Sequence, residues 1–438
     1  MNEQRDSSGL QPGAEAGDSG TVHGARDAWG PEPAAWTRSV TPYAPPSSSV
    51  SLASAPAQHG AALKLDSNEG PRPPARVMEL LATLDERTLR HYSKPAALEA
   101  NIAGWLSSEW RRDVLPAQVI VTAGGDDALD RLCRVCLEEG RVGVTTHPSF
   151  EMIPRYIAKC GGIERSVAWF GGPFPTARII QEARKKAGTE VGTEADTQAR
   201  DQARERKHHR GGNESDEQGP GASLVFVVSP NNPTGGVASL EDVRTLAREL
   251  PRTLIVVDAA YGEFAEVDLS PLAGSLANVV AVRTFSKAWG LAGLRVGYVV
   301  GDARWIGLLR AAGNPYAVAS PSLALAGAWL DEGREAMGHV VRRVAAERAE
   351  LAALLASLGG TPLPSEGNFV LADFGERGAA LRVWQVLVSR GIAVRRFEGG
   401  VLASCLRVTC PGDGNDWKVL ADALQSIAAQ EPRASERV

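Results

Sequence analysis

Nothing in this 438-residue sequence approaches the ~20 consecutive apolar residues of a membrane span; its longest apolar runs are strand-sized, such as Leu254 to Val257. Cysteine is scarce. The five present, an odd number spread from Cys133 to Cys410, make no disulfide framework, which agrees with a reducing compartment. An excess of one charge is also missing: the formal net charge is −5, so neither nucleic acid nor an anionic membrane is expected as a partner. The amino terminus, Met1 to Asp6, lacks the charged-then-apolar build of a signal peptide, and a cytoplasmic location is the expectation. No metal site is expected. Cys133-Arg134-Val135-Cys136 has no second ligand pair and, with Leu129, Leu132 and Leu137, reads as the packed face of a helix; His208-His209 sits in a charged stretch that reads as a solvated loop.

What is present is core-forming material, 43% apolar residues in a chain long enough for two domains. Short β-branched runs alternate with helical patterns, the signature of a mostly parallel sheet covered by helices. Residues 1–60, rich in Pro, Ser, Gly and Ala, are expected to be a disordered tail, and 181–221 a polar surface insertion. A large domain is expected over 61–330. A long helix from Asp331 to Leu358 then opens a smaller α+β domain over 331–438.

Four segments carry candidate chemistry. In Arg283-Thr284-Phe285-Ser286-Lys287, a lysine ends an apolar strand eight residues before Arg295; desolvation and a cationic neighbour would make its amine a nucleophile toward an aldehyde. Ser229-Pro230-Asn231-Asn232-Pro233-Thr234-Gly235-Gly236 follows the buried run Leu224 to Val228 and, standing alone, is an ordinary rigid turn. Leu254 to Asp258 ends a β-branched strand in a carboxylate with Tyr261 just beyond, at the sheet edge where open α/β folds bind ligands. Taken alone, they are a helix-capping Asp and a core Tyr. Val119 to Thr122 leads through Gly124-Gly125 into a helical pattern running to Glu139, and such a helix start suits a phosphate, with Asp126 and Asp127 expected to cap it.

Strand-end Asn, strand-end Asp and Tyr, then strand-end Lys, in that order, resembles the fold-type I pyridoxal-phosphate enzymes of the class I/II aminotransferases. Within them the chain is most similar to histidinol-phosphate aminotransferases. The narrower likeness rests on Leu65-Asp66-Ser67-Asn68-Glu69-Gly70-Pro71, Ser229 to Gly236, Gly290 to Tyr298, and Cys405-Leu406-Arg407-Val408-Thr409. It covers about Lys64 to Ile427, broken by one insertion.

The resemblance implies a site, residue by residue. The Schiff-base lysine falls on Lys287, the partner of the pyridine nitrogen on Asp258, and the partners of the phenolic oxygen on Asn232 and Tyr261. Phosphate contacts fall on Gly125, Asp126, Ser286 and Arg295, and the ring-stacking aromatic on Phe150, where the family usually has Tyr. Arg407 and Arg395 match arginines that grip the anionic end of the substrate, and Asn368 matches a motif residue without an assigned role. Tyr92 matches a tyrosine that reaches the phosphate of a neighbouring subunit, which implies a homodimer. The implied reaction moves an amino group from a small-molecule donor, histidinol phosphate first, to a 2-oxo acid, with ping-pong kinetics.

The chain departs from the family in two places. Asp-Glu-Ala-Tyr becomes Asp258-Ala259-Ala260-Tyr261, and Tyr-Pro-Asp-Pro becomes Tyr92-Ser93-Lys94-Pro95, so the substrate assignment is weakened more than the cofactor. A threonine-phosphate decarboxylase-like enzyme and an aromatic or secondary-metabolic aminotransferase share this constellation. From another class, a non-catalytic binding protein on the same fold is opposed by the joint presence of Lys287, Asp258 and Arg295.

Overall fold

The computed structural model describes residues 63–186 and 221–430. The expected tail, most of the expected insertion and the His208-His209 pair lie outside the described residues. Among the described residues twelve strands form two sheets. In chain order they are β1 (Leu63–Leu65), β2 (Val119–Thr122), β3 (Val142–His147), β4 (Ile163–Ala168), β5 (Leu224–Val228), β6 (Leu254–Asp258), β7 (Val279–Thr284), β8 (Gly297–Val300), β9 (Thr361–Pro362), β10 (Phe369–Asp373), β11 (Ile392–Arg396) and β12 (Cys405–Thr409).

The seven-stranded sheet runs β2-β8-β7-β6-β5-β3-β4. The pairs from β7 to β4 are parallel, while β8 is antiparallel to both β7 and β2. Strands β5, β6 and β7 are buried along their whole length, which is why they read as unbroken apolar runs and not as alternating ones. Val225, Val227, Ile255 and Val257 face one core layer, and Phe226, Val228, Leu254 and Val256 the other. The helices Gly124–Cys136 and Met152–Lys159 pack on the second layer through Leu129, Leu132, Ile153 and Ile157. Cys133 is fully buried there, in the packing role expected of it. Because the central strands are parallel, β3, β5, β6 and β7 end on one edge, and β8 starts from it.

The five-stranded sheet runs β1-β11-β12-β10-β9. It is covered by the helices Arg334–Ser357, Arg377–Ser389 and Gly414–Gln430 around a core that includes Leu351, Leu355, Phe369 and Val408.

Four boundaries differ from expectation. β1 lies within the stretch 61–330 yet pairs in parallel with β11, since Leu65 is buried in the second core and its carbonyl accepts from Thr409 Oγ1 at 2.8 Å. The long helix starts at Arg334 because Gly333 separates it from the helix Ser320–Glu332. The helix opened by Gly124 ends at Cys136, where Leu137 turns extended. The helix Thr176–Arg184 runs into the expected insertion because Ile179 and Ala183 are buried. Among the described residues no helix is long and apolar enough to cross a membrane.

Candidate active site

One cavity of about 890 Å³ opens at the strand-end edge of the larger sheet and is walled on its far side by β11, β12 and the turn after β1. Lys287, Asp258, Tyr261, Asn232, Gly125, Asp126, Phe150, Ser286, Arg295, Arg395 and Arg407 all line it. Two residues singled out from sequence do not: Asn368 lies behind the cavity wall, and Tyr92 is 77% exposed and stacks on Tyr316, with ring centroids 4.6 Å apart.

Lys287 leaves the end of β7, and its Nζ donates to the Ser67 carbonyl at 3.2 Å, 5.6 Å from the centre of the Tyr261 ring. Burial, reinforced by the charges of Arg407 and Arg295, pushes the amine from an ordinary 10.5 down to about 8, while Glu69 and Asp126 oppose the shift. The turn that supplies Ser67 lies directly on the backbone of the lysine. A Cβ on Gly70 would stand 2.2 Å from the Lys287 carbonyl oxygen and 2.9 Å from Gly290 Cα, so only glycine fits.

Asp258 is buried at the end of β6, where Oδ1 accepts from the Ala260 N–H at 3.2 Å. Burial pushes its carboxyl up to about 7, the state of a carboxylate that gains by facing a cation. The Tyr261 hydroxyl accepts from Asn68 Nδ2 at 3.0 Å, and its ring meets Phe369 edge-on at 5.2 Å. In the Asn231-Asn232 pair the labour is divided. Asn231 ties the turn together, donating to the Pro148 carbonyl at 2.9 Å and to Thr234 Oγ1 at 2.8 Å, whereas Asn232 faces the cavity and accepts from Arg407 Nη1 through Oδ1.

At the start of the helix Gly124–Cys136, the expected double cap is only half correct. Asp127 does cap, accepting from the Ala123 N–H at 2.9 Å and bonding Arg131. Asp126 instead accepts from Arg295 Nη2 at 3.0 Å and from the Tyr156 hydroxyl at 3.0 Å, because those groups converge on it from facing elements. Gly124 has φ of +80°, and a Cβ there would stand 2.6 Å from Arg295 Nη2, so glycine admits the guanidinium to the helix start. The Ser286 hydroxyl accepts from Thr284 Oγ1 at 2.9 Å. Helix N–H groups, a hydroxyl and an arginine thus surround one end of the cavity, a set suited to a phosphate.

At the other end, Arg407 is buried on β12. It donates through Nη2 to the Asp66 carbonyl at 2.6 Å, and burial pushes it down to about 10. Arg395 on β11 lies 3.4 Å from the Glu151 carboxylate. Asn368 holds the turn after β1, donating to the carbonyls of Asn68 at 3.3 Å and Glu69 at 3.4 Å. Sequence reasoning passed over Ser67, Asn68, Thr284, Glu151, Phe397 and Leu402, all of which line the cavity. Ser67 and Asn68 had a local signal, being polar residues in the quoted Leu65–Pro71 motif, where Asn68 takes a left-handed φ of 53°.

An aldehyde-bearing aromatic phosphate fits these residues: an amine of lowered basicity, a buried carboxylate for a ring nitrogen, hydroxyl and amide groups for a phenolic oxygen, and an anion cradle.

The profile of the family described as aminotransferase class I and II matches residues 61–424. The histidinol-phosphate aminotransferase of Haloarcula marismortui is 33% identical over 370 residues, 83% of this chain and 89% of that protein. That of Roseiflexus castenholzii is 32% identical over 84% of this chain and 90% of its own length. Among solved structures, histidinol-phosphate aminotransferase from Sinorhizobium meliloti in complex with pyridoxal-5'-phosphate aligns with a TM-score of 0.71 at 25% identity, covering 92% of this chain and 99% of that one. Aspartate aminotransferase from Thermus thermophilus with maleate, at 21% identity and a TM-score of 0.66 over 91% of this chain and 99% of that one, shares the fold.

Proposed function

This chain belongs to the class I and II aminotransferases and uses pyridoxal phosphate, and from that premise we propose that it transfers the amino group of histidinol phosphate to 2-oxoglutarate. The observation that carries the donor is the pair Arg395 and Arg407 on adjacent strands at one end of the cavity, in a chain whose relatives over most of its length are histidinol-phosphate aminotransferases. Planar guanidinium groups suit both the phosphate of the donor and the carboxylates of the acceptor, so one pair serves both halves of a ping-pong cycle.

When bound, pyridoxal phosphate supplies a carbonyl that condenses with amines and a ring that draws electron density from the bonds at the amino-bearing carbon. In our reading Lys287 holds that carbonyl between turnovers. When free, Nζ would serve as the base toward the amino-bearing carbon of the donor; an amine pushed to about 8 is well matched to that task near neutral pH. Asp258 would pair with the ring nitrogen and favour a proton there, since a desolvated carboxylate gains most from an adjacent cation. Tyr261 and Asn232 would donate to the phenolic oxygen, and Phe150 would cover one ring face. The N–H groups of Gly125 and Asp126, the Ser286 hydroxyl and Arg295, which now bonds the Asp126 carboxylate, would hold the phosphate.

We further assign the chain to a cytoplasmic homodimer. The support is the exposed Tyr92, which is free of its own cavity and therefore available to that of a partner. The division into a larger domain over 61–330 and a smaller one over 331–438 is kept in this reading, with β1 contributed to the smaller one.

The test is the visible spectrum of the purified holoenzyme during titration with histidinol phosphate and then 2-oxoglutarate, with glutamate assayed. The expected result is loss of the cofactor band with the first addition and its return, with glutamate, on the second. An unchanged band would overturn the donor and lead next to phosphothreonine and to aromatic amino acids.

A further inference from the structure

Beside the two arginines stands a carboxylate that amino transfer does not require. Glu151 follows Phe150 at the amino end of the helix Met152–Lys159, where a carboxylate commonly turns back onto free N–H groups. Its side chain makes no such cap. Oε1 lies 3.4 Å from Arg395 Nη2, with Glu151 half exposed and the arginine 18% exposed.

The two arginines are therefore prepared differently. Arg407 is fixed by hydrogen bonds to neutral acceptors, the Asn232 amide oxygen and the Asp66 carbonyl, and feels the Asp66 and Glu151 carboxylates only through space. Arg395 has an apolar neighbour in Phe397, whose ring centre is 5.5 Å from the guanidinium carbon, and its charge is offset by Glu151. A single contact of 3.4 Å by a half-exposed side chain is weak, so the carboxylate is able to swing into solvent at small cost.

We propose that Glu151 is a specificity-determining counter-ion: it stays paired with Arg395 when the ligand carries one anionic group, and is displaced by the second anionic group of a doubly anionic ligand. This rests on the reading of Arg395 and Arg407 as the anion-binding pair. Doubly anionic substrates then bind by exchange against an internal carboxylate, and their advantage over singly anionic ones is held down.

Calorimetric titration of the holoenzyme with glutarate and with pentanoate, unreactive acids of equal chain length that differ by one carboxylate, tests this directly. Glu151→Gln should tighten glutarate about two- to fivefold, the equilibrium equivalent of losing a half-exposed ion pair, and move pentanoate less than about twofold. In an Arg395→Leu background the gain should vanish. A role confined to local structure would move both acids together. Equal shifts, or no shift for glutarate, while Arg395→Leu alone still weakens glutarate, would overturn the inference and leave the anion pair standing. Glutarate binding indifferent to Arg395→Leu would overturn the pair and the inference with it.

Discussion

Raising the pH from about 6 to about 10 over the cofactor-free protein converts Lys287 from ammonium to amine well before a solvated lysine, whose midpoint is near 10.4. Burial is the main cause, Arg407 and Arg295 add to it, and Glu69 and Asp126 oppose it, leaving the midpoint at about 8. At pH 7 about a tenth of Lys287 is then free amine, against about one part in 3,000 for a lysine at 10.5, an advantage of about 300-fold. A less basic amine is also intrinsically slower. With a Brønsted slope of about 0.5, as for thiols, that loss is about 20-fold, so the net advantage is about 15-fold. The assay is competitive arylation with fluorodinitrobenzene, a neutral reagent whose own charge does not change with pH, followed by digestion and mass spectrometry of the Lys287 peptide beside solvated lysine peptides. The Lys287 rate should climb about tenfold per pH unit and level off near 8, while the reference peptides continue to rise. Glu69→Gln removes one of the opposing carboxylates and should move the inflection lower still. A Lys287 profile still climbing at pH 10 would refute the argument that burial prepares this amine.

Three further substitutions and one exposed-pair control test the packing around the site and in the core. Tyr261→Phe removes the acceptor of Asn68 Nδ2 inside the protein and should cost about 1–3 kcal/mol in denaturant unfolding of the cofactor-free protein; an unchanged midpoint would mean that this link contributes nothing. Gly70→Ala drives a methyl group into the Lys287 carbonyl and Gly290, both backbone, and should cost about 1–3 kcal/mol or more while weakening pyridoxal phosphate binding; normal values of both would contradict the close approach. Arg283→Met strips the partner from Glu263 at 2.9 Å and Asp268 at 2.8 Å in the core, and about 3–5 kcal/mol should be lost in urea. Removing the exposed pair Arg76 and Glu332 should leave the urea midpoint nearly unmoved, and equal losses at the two sites would show that burial does not set the difference.

The strands were legible because β5, β6 and β7 are covered on both faces, so apolar runs ended by Ser229, Asp258 and Ser286-Lys287 have no other economical reading. The same edge made Asn232, Asp258 and Lys287 legible as a set, since parallel strands deliver their ends to one place. What stayed hidden depends on contacts without local period. The Asn68 N–H donates to Thr409 Oγ1 at 3.3 Å across 341 residues, and β1 reaches β11 across most of the chain. Asp126 looked like a cap because helix starts favour acidic residues; the arginine and tyrosine that claim it lie 169 and 30 residues away. Glu151 was invisible for the same reason, its partner being 244 residues distant.

Desolvation acts on three groups in this cavity with three different results, and the differences follow from where each begins. Arg407 falls from 12.5 to about 10 and so keeps its charge at neutral pH, ready to hold an anion in surroundings where a charge-assisted bond is strong. Lys287 begins at 10.5 and falls to about 8, which brings its amine form into the working range. Asp258 begins at 3.8 and rises to about 7, so its ionised form comes to depend on an adjacent cation. A lysine at position 407 would start lower than arginine, and the same burial would cost it part of its charge near neutral pH. Arginine at 407 and lysine at 287 are therefore two answers to one environment: in the proposed roles, the grip on the substrate must stay charged, and the base must be able to lose its charge.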